Sequence, residues 1–142
     1  MKTNPIIVEQ AFNLSVIKVW NAITELNQMK QWFFGNIPDF KPELGFYTEF
    51  PVQSGERTFT HLWEITEIVP QKKIVYKWRY KEYEGEGKVI FELQEQGNQT
   101  ILKLTNEGLE TFPEEIPEFR RESCEGGWNY FIKERLKIYL NQ

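Results

Sequence analysis

The sequence predicts an α+β fold: a curved antiparallel β-sheet packed against one long C-terminal helix, with two short helices after the first strand. Three observations carry this. Alternating apolar and polar residues, broken by turn residues, recur from position 45 to position 105. Helical spacing of apolar residues is confined to the stretch after the first strand and to the C-terminus. The apolar strand faces are aromatic-rich, in a chain that is 15% Phe, Trp and Tyr. A sheet with such a face, closed by one helix, has a natural place for an apolar pocket.

Ile6 to Phe12 is rich in β-formers and follows Pro5, which suits a strand start. Asn13 or Ser15 can cap the next helix, where Val16, Val19, Trp20, Ile23 and Leu26 recur at helical spacing. A second helix is expected over Asn27 to Phe33, ended by Gly35. Pro38 and Pro42 make Asn36 to Glu43 a loop. Gly45 to Phe50 is the next strand, with Val52 to Glu56 as its turn, and Thr58 to Val69 is a long strand that stops at Pro70-Gln71. Lys73 to Lys81 alternates most clearly. Ile74, Tyr76, Trp78 and Tyr80 share one face and Lys73, Lys77, Arg79 and Lys81 the other, with Val75 the exception. Glu84 to Gly87 reads as a turn. Val89, Phe91 and Leu93 then alternate with Lys88 and Glu92, and Gln96-Gly97-Asn98 makes a hairpin into Thr100 to Thr105. The acidic stretch Glu107 to Pro117 reads as a surface loop, and Pro117 suits the first turn of the final helix. The regular amphipathic run begins at Gly126-Gly127 and Trp128 and reaches Leu140. Lys133, Arg135 and Lys137 lie towards the negative end of its dipole.

Length and charge bound the function. A chain of 142 residues favours a single domain, 1–142. A net charge of −4 and a pI near 5.2 argue against nucleic acid and, more weakly, against an anionic membrane surface. Cys124 is the only cysteine, so no intramolecular disulfide can form, and the thiol suits a reducing compartment. The N-terminal residues hold no apolar signal core, and no run is long enough to cross a membrane, so a cytoplasmic location is expected. One His and one Cys do not make a metal-ligand set. No metal, no cofactor and no catalytic motif are expected.

Strand parity turns Phe59, His61, Trp63, Tyr76, Trp78 and Phe91 inward. Trp32 and Phe33 on the second helix, and Trp128, Phe131 and Ile132 on the final one, complete the candidate ligand-binding residues. Apolar walls with a few polar tips are what a small-molecule site needs; densely packed aromatics can equally fill a core. An enclosed pocket is expected between Trp63, Tyr76, Trp78, Phe91, Trp128 and Ile132. His61, the only histidine, can orient a ligand or act as a base, and has no carboxylate at local spacing. Burial among aromatics is expected to lower its pKa. Gly126-Gly127 inside a helical pattern calls for a reason, such as a helix start, a kink, close approach to the sheet or a pocket wall.

A set of segments in this order is similar to one family. They are Val19 to Thr24, Gln31-Trp32-Phe33, Glu64 to Pro70, Ile74 to Trp78, Val89 to Leu93, Leu102 to Gly108, and Gly127-Trp128 with Leu136 and Tyr139-Leu140. The chain resembles the homologues of the activator of the heat-shock-protein-90 ATPase, in the START-like, birch-pollen-allergen-like helix-grip superfamily (SRPBCC). The resemblance implies a curved sheet gripping the terminal helix over a cavity. It also implies binding of lipids, sterols, polyketides or other apolar molecules, with enzymes among some members. Eukaryotic co-chaperones of the family carry an extra N-terminal domain, and the segment before residue 6 is too short to be one. The expected function is non-catalytic binding of a small apolar or amphipathic molecule. Two alternatives stand beside it: an enzyme of the same fold using a pocket His or Tyr, and a stress-related co-chaperone acting through protein contacts.

Overall fold

The computed structural model describes residues 4–141; Met1 to Thr3 and Gln142, within the expected span 1–142, lie outside the described residues. The chain runs β1 (Ile6–Phe12), α1 (Val16–Thr24), α2 (Leu26–Trp32), β2 (Tyr47–Ser54), β3 (Arg57–Val69), β4 (Lys73–Tyr80), β5 (Tyr83–Gln96) and β6 (Gln99–Glu107). Two 3₁₀ turns follow, Leu109–Thr111 and Pro117–Phe119. A closing helix, α3, occupies residues 121–140.

The strands form one antiparallel sheet in the order β1-β6-β5-β4-β3-β2. Hairpins join β2 through β6, and α1 and α2 carry the chain from one edge to the other. The expected parity is present. Trp63 pairs with Trp78, Ile65 with Tyr76, Ile74 with Phe91, and Phe91 with Leu104, all buried. This face receives α3 through Trp128, Ile132 and Leu136, which recur every fourth residue and are buried. The opposite face carries a ladder of alternating charge, Glu9, Lys103, Glu92 and Lys73 in register across four strands. Val75, the exception in the alternation, is buried and pairs with Ile90.

Several boundaries differ from the sequence expectation. Strand β2 continues through Pro51 to Ser54, and Gly55-Glu56 is the turn, because β2 is an edge strand where a missing N–H costs no ladder bond. The turn after β4 is Lys81-Glu82, and Glu84 to Gly87 lie within β5, opposite a bulge between Trp78 and Tyr80. The glycines there serve close approach rather than a turn. Gly85 has φ +118, and a Cβ on it would strike Phe112 and the Thr111 carbonyl. Helix α1 ends at Thr24, where the Thr24 hydroxyl donates to the Trp20 carbonyl at 2.7 Å. Pro117 opens a separate 3₁₀ turn, and α3 starts at Arg121, five residues before Gly126. The Arg121 guanidinium holds that start by donating to the Asn4 and Pro5 carbonyls at 2.6 and 3.1 Å. The central stretch of α3, Asn129–Leu136, is wound as π-helix, a form that occurs often at functional sites.

Candidate functional site

The interior divides into two unequal apolar clusters. The larger joins the sheet to α1, α2 and α3 and includes Trp32, Phe33, Trp63, Tyr76, Phe91 and Ile132. The smaller is Phe59, Phe112 and Phe119, with Tyr80, Tyr83 and Ile116 against it. Phe112 and Phe119 come from the acidic stretch, residues 108–120, which crosses the end of the sheet as a cap. Gly108 makes the crossing possible: it has φ +87, and a Cβ there would meet the Glu86 backbone. The cap is tied down by Glu118, which accepts from Ser54 Oγ at 2.8 Å and from Arg57 Nε at 3.0 Å on the β2–β3 hairpin.

Between the two clusters lies a cavity of about 150 Å³. Its walls come from both sides: Phe34, Trp78, Trp128 and Phe131 from the main core, Phe112 and Phe119 from the cap. Four of the eleven sequence-derived site residues line it, namely His61, Trp78, Trp128 and Phe131. Phe59 lies in the cap cluster. Trp32, Phe33, Trp63, Tyr76, Phe91 and Ile132 do not line it; they are buried against one another in the main core. The ring contacts there are continuous, with Trp32 to Phe33 at 4.7 Å, Phe33 to Trp63 at 5.4 Å and Trp63 to Tyr76 at 5.2 Å between ring centroids. The cavity is thus displaced from the centre of the sheet towards the cap.

Its polar groups are few: the one carboxylate among the lining residues, Glu118, is held by Ser54 and Arg57, and His61, Tyr80, Asn106 and Cys124 are neutral. His61 Nδ1 lies 2.9 Å from the Phe59 carbonyl, and a carbonyl only accepts, so Nδ1 carries the proton and Nε2 the lone pair. No described residue bonds Nε2. Burial lowers the imidazole pKa to about 4, against smaller opposing effects of the Phe59 carbonyl and Glu82. The Tyr80 hydroxyl accepts from Trp78 Nε1 at 2.8 Å and keeps its own proton to donate; burial raises its pKa. Trp128 Nε1 donates to Asn106 Oδ1 at 3.1 Å, which leaves that indole no further donor. Burial pushes the Cys124 thiol up to about 11. An activated Cys–His pair has its pKa values moved the other way, so these two cavity residues are not one.

Sequence reasoning missed Asn106, Phe112, Phe119 and Cys124 as lining residues. Tyr80 was legible from its inward parity. The cap residues lacked a period because 3₁₀ turns impose none long enough to read. Gly127 was expected to pack tightly or to wall a pocket. A Cβ on either Gly126 or Gly127 meets nothing within 4 Å, and Gly127 borders the cavity.

A larger groove of about 830 Å³ lies on the charged face, lined by Glu67, Lys73, Glu92 and Lys103 among others. Lys73 and Glu67 form an ion pair on its wall at 3.1 Å. No cluster of potential metal ligands occurs among the described residues. No helix among them is long and apolar enough to cross a membrane.

The fold recurs in known structures. A Chromobacterium violaceum protein is 18% identical, with a TM-score of 0.81 over 98% of each chain. The Aha1 dimer from Colwellia psychrerythraea is 19% identical, with a TM-score of 0.71 over 96% of this chain and 95% of that one. DynU16, from the dynemicin biosynthetic locus, is 22% identical, with a TM-score of 0.76 over 98% of this chain and 48% of that one. None of the curated proteins matches. The model of the family described as activator of Hsp90 ATPase homolog 1-like protein matches residues 13–141, and the chain belongs to that family.

Proposed function

We propose that this protein binds a small, neutral, largely aromatic molecule carrying one hydroxyl, in the cavity between the cap and α3, without transforming it. The observation that carries the reading is the neutral polar pair set in apolar walls. His61 Nε2 offers a lone pair, and the Tyr80 hydroxyl offers a proton. A hydroxyl both donates and accepts, so one such group satisfies both. Size supports the class, since an apolar cavity of roughly 150 Å³ holds a benzene-sized guest. A charged guest would have no opposite charge at the buried His61–Tyr80 pair and would bear its full desolvation cost.

Binding is favoured over catalysis because His61 is oriented by a backbone carbonyl rather than a carboxylate. With its pKa near 4 it is a weak base, far from the neutral poise that general-base work requires. The family and fold are consistent with ligand binding in a cavity. The unpaired thiol of Cys124 agrees with a reducing, cytoplasmic setting.

Calorimetric titration with phenol tests the reading. Saturable binding is expected to wild type and to weaken about tenfold or more in Gly127→Leu, whose side chain enters the open space beside the cavity. No binding, or binding indifferent to Gly127→Leu, overturns it.

A further inference from the structure

Two donors in the filled half of the interior have no acceptor. Trp63 Nε1 and the Tyr76 hydroxyl are fully buried and make no hydrogen bond. Their rings lie 5.2 Å apart on neighbouring strands. Orphaned donors of this kind are rare in native interiors and costly, and phenylalanine would fill either position without that cost.

Phe33 lies between Trp63 and the cavity walls, beside Trp78 and Phe34, which line the cavity and touch Trp63 at 5.0 and 6.0 Å between ring centroids. The Phe33 ring stacks on Trp63 at 5.4 Å on one side. On the other it meets three cavity-lining rings: Phe131 at 4.9 Å, Trp128 at 5.9 Å and Trp78 at 6.2 Å. Phe33 stands on the connection just after α2, where no helical bond beyond its own N–H to Met29 fixes it. Loops are the usual place for a side chain that gives way.

We propose that Phe33 is a removable plug, and that behind it lies a deeper subsite taking a neutral carbonyl oxygen on the Tyr76 hydroxyl and the Trp63 indole N–H. The proposal rests on the reading that this interior admits a neutral guest. It enlarges the ligand class from a single ring to a larger aromatic ketone, ester or amide. Moving a phenyl ring out of the way adds to the present volume of about 150 Å³. The sum approaches the roughly 300 Å³ at which pockets for drug-sized ligands begin. The carbonyl has to be neutral, because Tyr76 and Trp63 are enclosed by apolar rings with no cation to compensate a carboxylate.

The test uses phenol for the present cavity and prodan, a neutral fluorescent naphthyl ketone, for the enlarged one. Phe33→Ala is expected to raise prodan affinity about tenfold over wild type and to change phenol affinity less than about threefold. In that background Tyr76→Phe is expected to lower prodan affinity about three- to tenfold and to shift its emission to the blue, because the ketone loses a donor. Tyr76→Phe alone is expected to leave the thermal midpoint of the free protein unchanged or higher. Where Phe33→Ala does not fold, Phe33→Leu keeps most of the core contact and is read in the same way. No gain of prodan affinity on removing the ring overturns the proposal. So does a gain that neither Tyr76→Phe nor Trp63→Phe reduces, since the donors would then have another partner, such as a bound solvent molecule. Phenol binding without the prodan gain removes this proposal alone; the prodan gain without phenol binding removes the cap-side reading alone.

Discussion

The two ends of the interior are built from the same residue types and do different things. At the filled end, Trp32, Phe33, Trp63, Tyr76 and Phe91 form an unbroken chain of ring contacts and are buried. At the cap end, Phe59, Phe112 and Phe119 are equally aromatic, yet they leave a cavity between themselves and the main core. The difference is one of support. The filled end is clamped between sheet and helices, whereas the cap is a thin crossing segment. Leu109, Phe112 and Phe119 border the cavity on one side and an outer groove of about 400 Å³ on the other. Aromatic content by itself therefore does not distinguish a core from a site; the number of layers packed on each ring does.

Truncation should break the comparison most strongly. Phe91→Ala is expected to cost roughly 3–5 kcal/mol, since its surroundings cannot collapse. Phe119→Ala in the cap is expected to cost about 1–2 kcal/mol, because it already borders open space on both sides. Denaturant melts check both, with unchanged m-values as the condition for a clean reading. Equal costs would mean that the cap is as tightly packed as the core. Trp128→Ala, which joins the two ends and loses the Asn106 hydrogen bond, belongs with the larger value.

Acid should act next, and through the cavity end. His61 is neutral in the folded protein down to about pH 4. In the unfolded chain it takes a proton near the ordinary value of about 6.5. Between those values the unfolded state holds more protons, so stability falls as pH drops through that window and is fully present above it. The loss amounts to roughly 3 kcal/mol by pH 4. His61→Phe should remove that dependence between pH 6.5 and 4 while changing neutral-pH stability by less than about 1 kcal/mol. An unchanged acid slope in the variant would locate the titration elsewhere.

The fold was legible because its signals are periodic. Strand parity from Phe59 to Leu93 and the four-residue recurrence of Trp128, Ile132 and Leu136 both survive in the structure. The lining of the candidate cavity was legible only where it shares those periods, at His61, Trp78, Tyr80, Trp128 and Phe131. Parity states that a residue faces inward; it does not state whether the space it faces is filled. That is why Trp63 and Trp78, paired in register on one face, end up in a packed core and on a cavity wall respectively. The cap was unreadable for a different reason. Glu107 to Pro117 looks like a solvated acidic loop, and its buried Phe112 is placed by Gly85 and Gly108, whose role depends on a tertiary crossing.

Smaller effects sharpen the contrast. Gly126→Ala and Gly127→Ala should each stabilise by about 0.5–1 kcal/mol, because both glycines are helical and an added methyl meets nothing. Destabilisation of either would mean that the helix must approach another element there. Glu118→Gln weakens the latch to Arg57, a half-exposed pair worth under about 1 kcal/mol. Its stability should therefore hardly change, while phenol exchange should quicken as the cap opens more often. Unaltered exchange would show that the cap does not gate the cavity.

The central claim is that the space open in the free protein lies at the cap end, and that a small guest enters there and not on the charged face. An NMR titration with phenol, following the His61 ring, the five indole N–H signals and the backbone amides, tests it most directly. The account predicts saturable shifts at His61, Trp78 and Trp128, with Trp32 unmoved because its N–H is held at 2.8 Å by the Ala22 carbonyl inside the core. Shifts confined to residues of the charged groove, such as Lys73 and Lys103, or no saturable shift at His61, would contradict it.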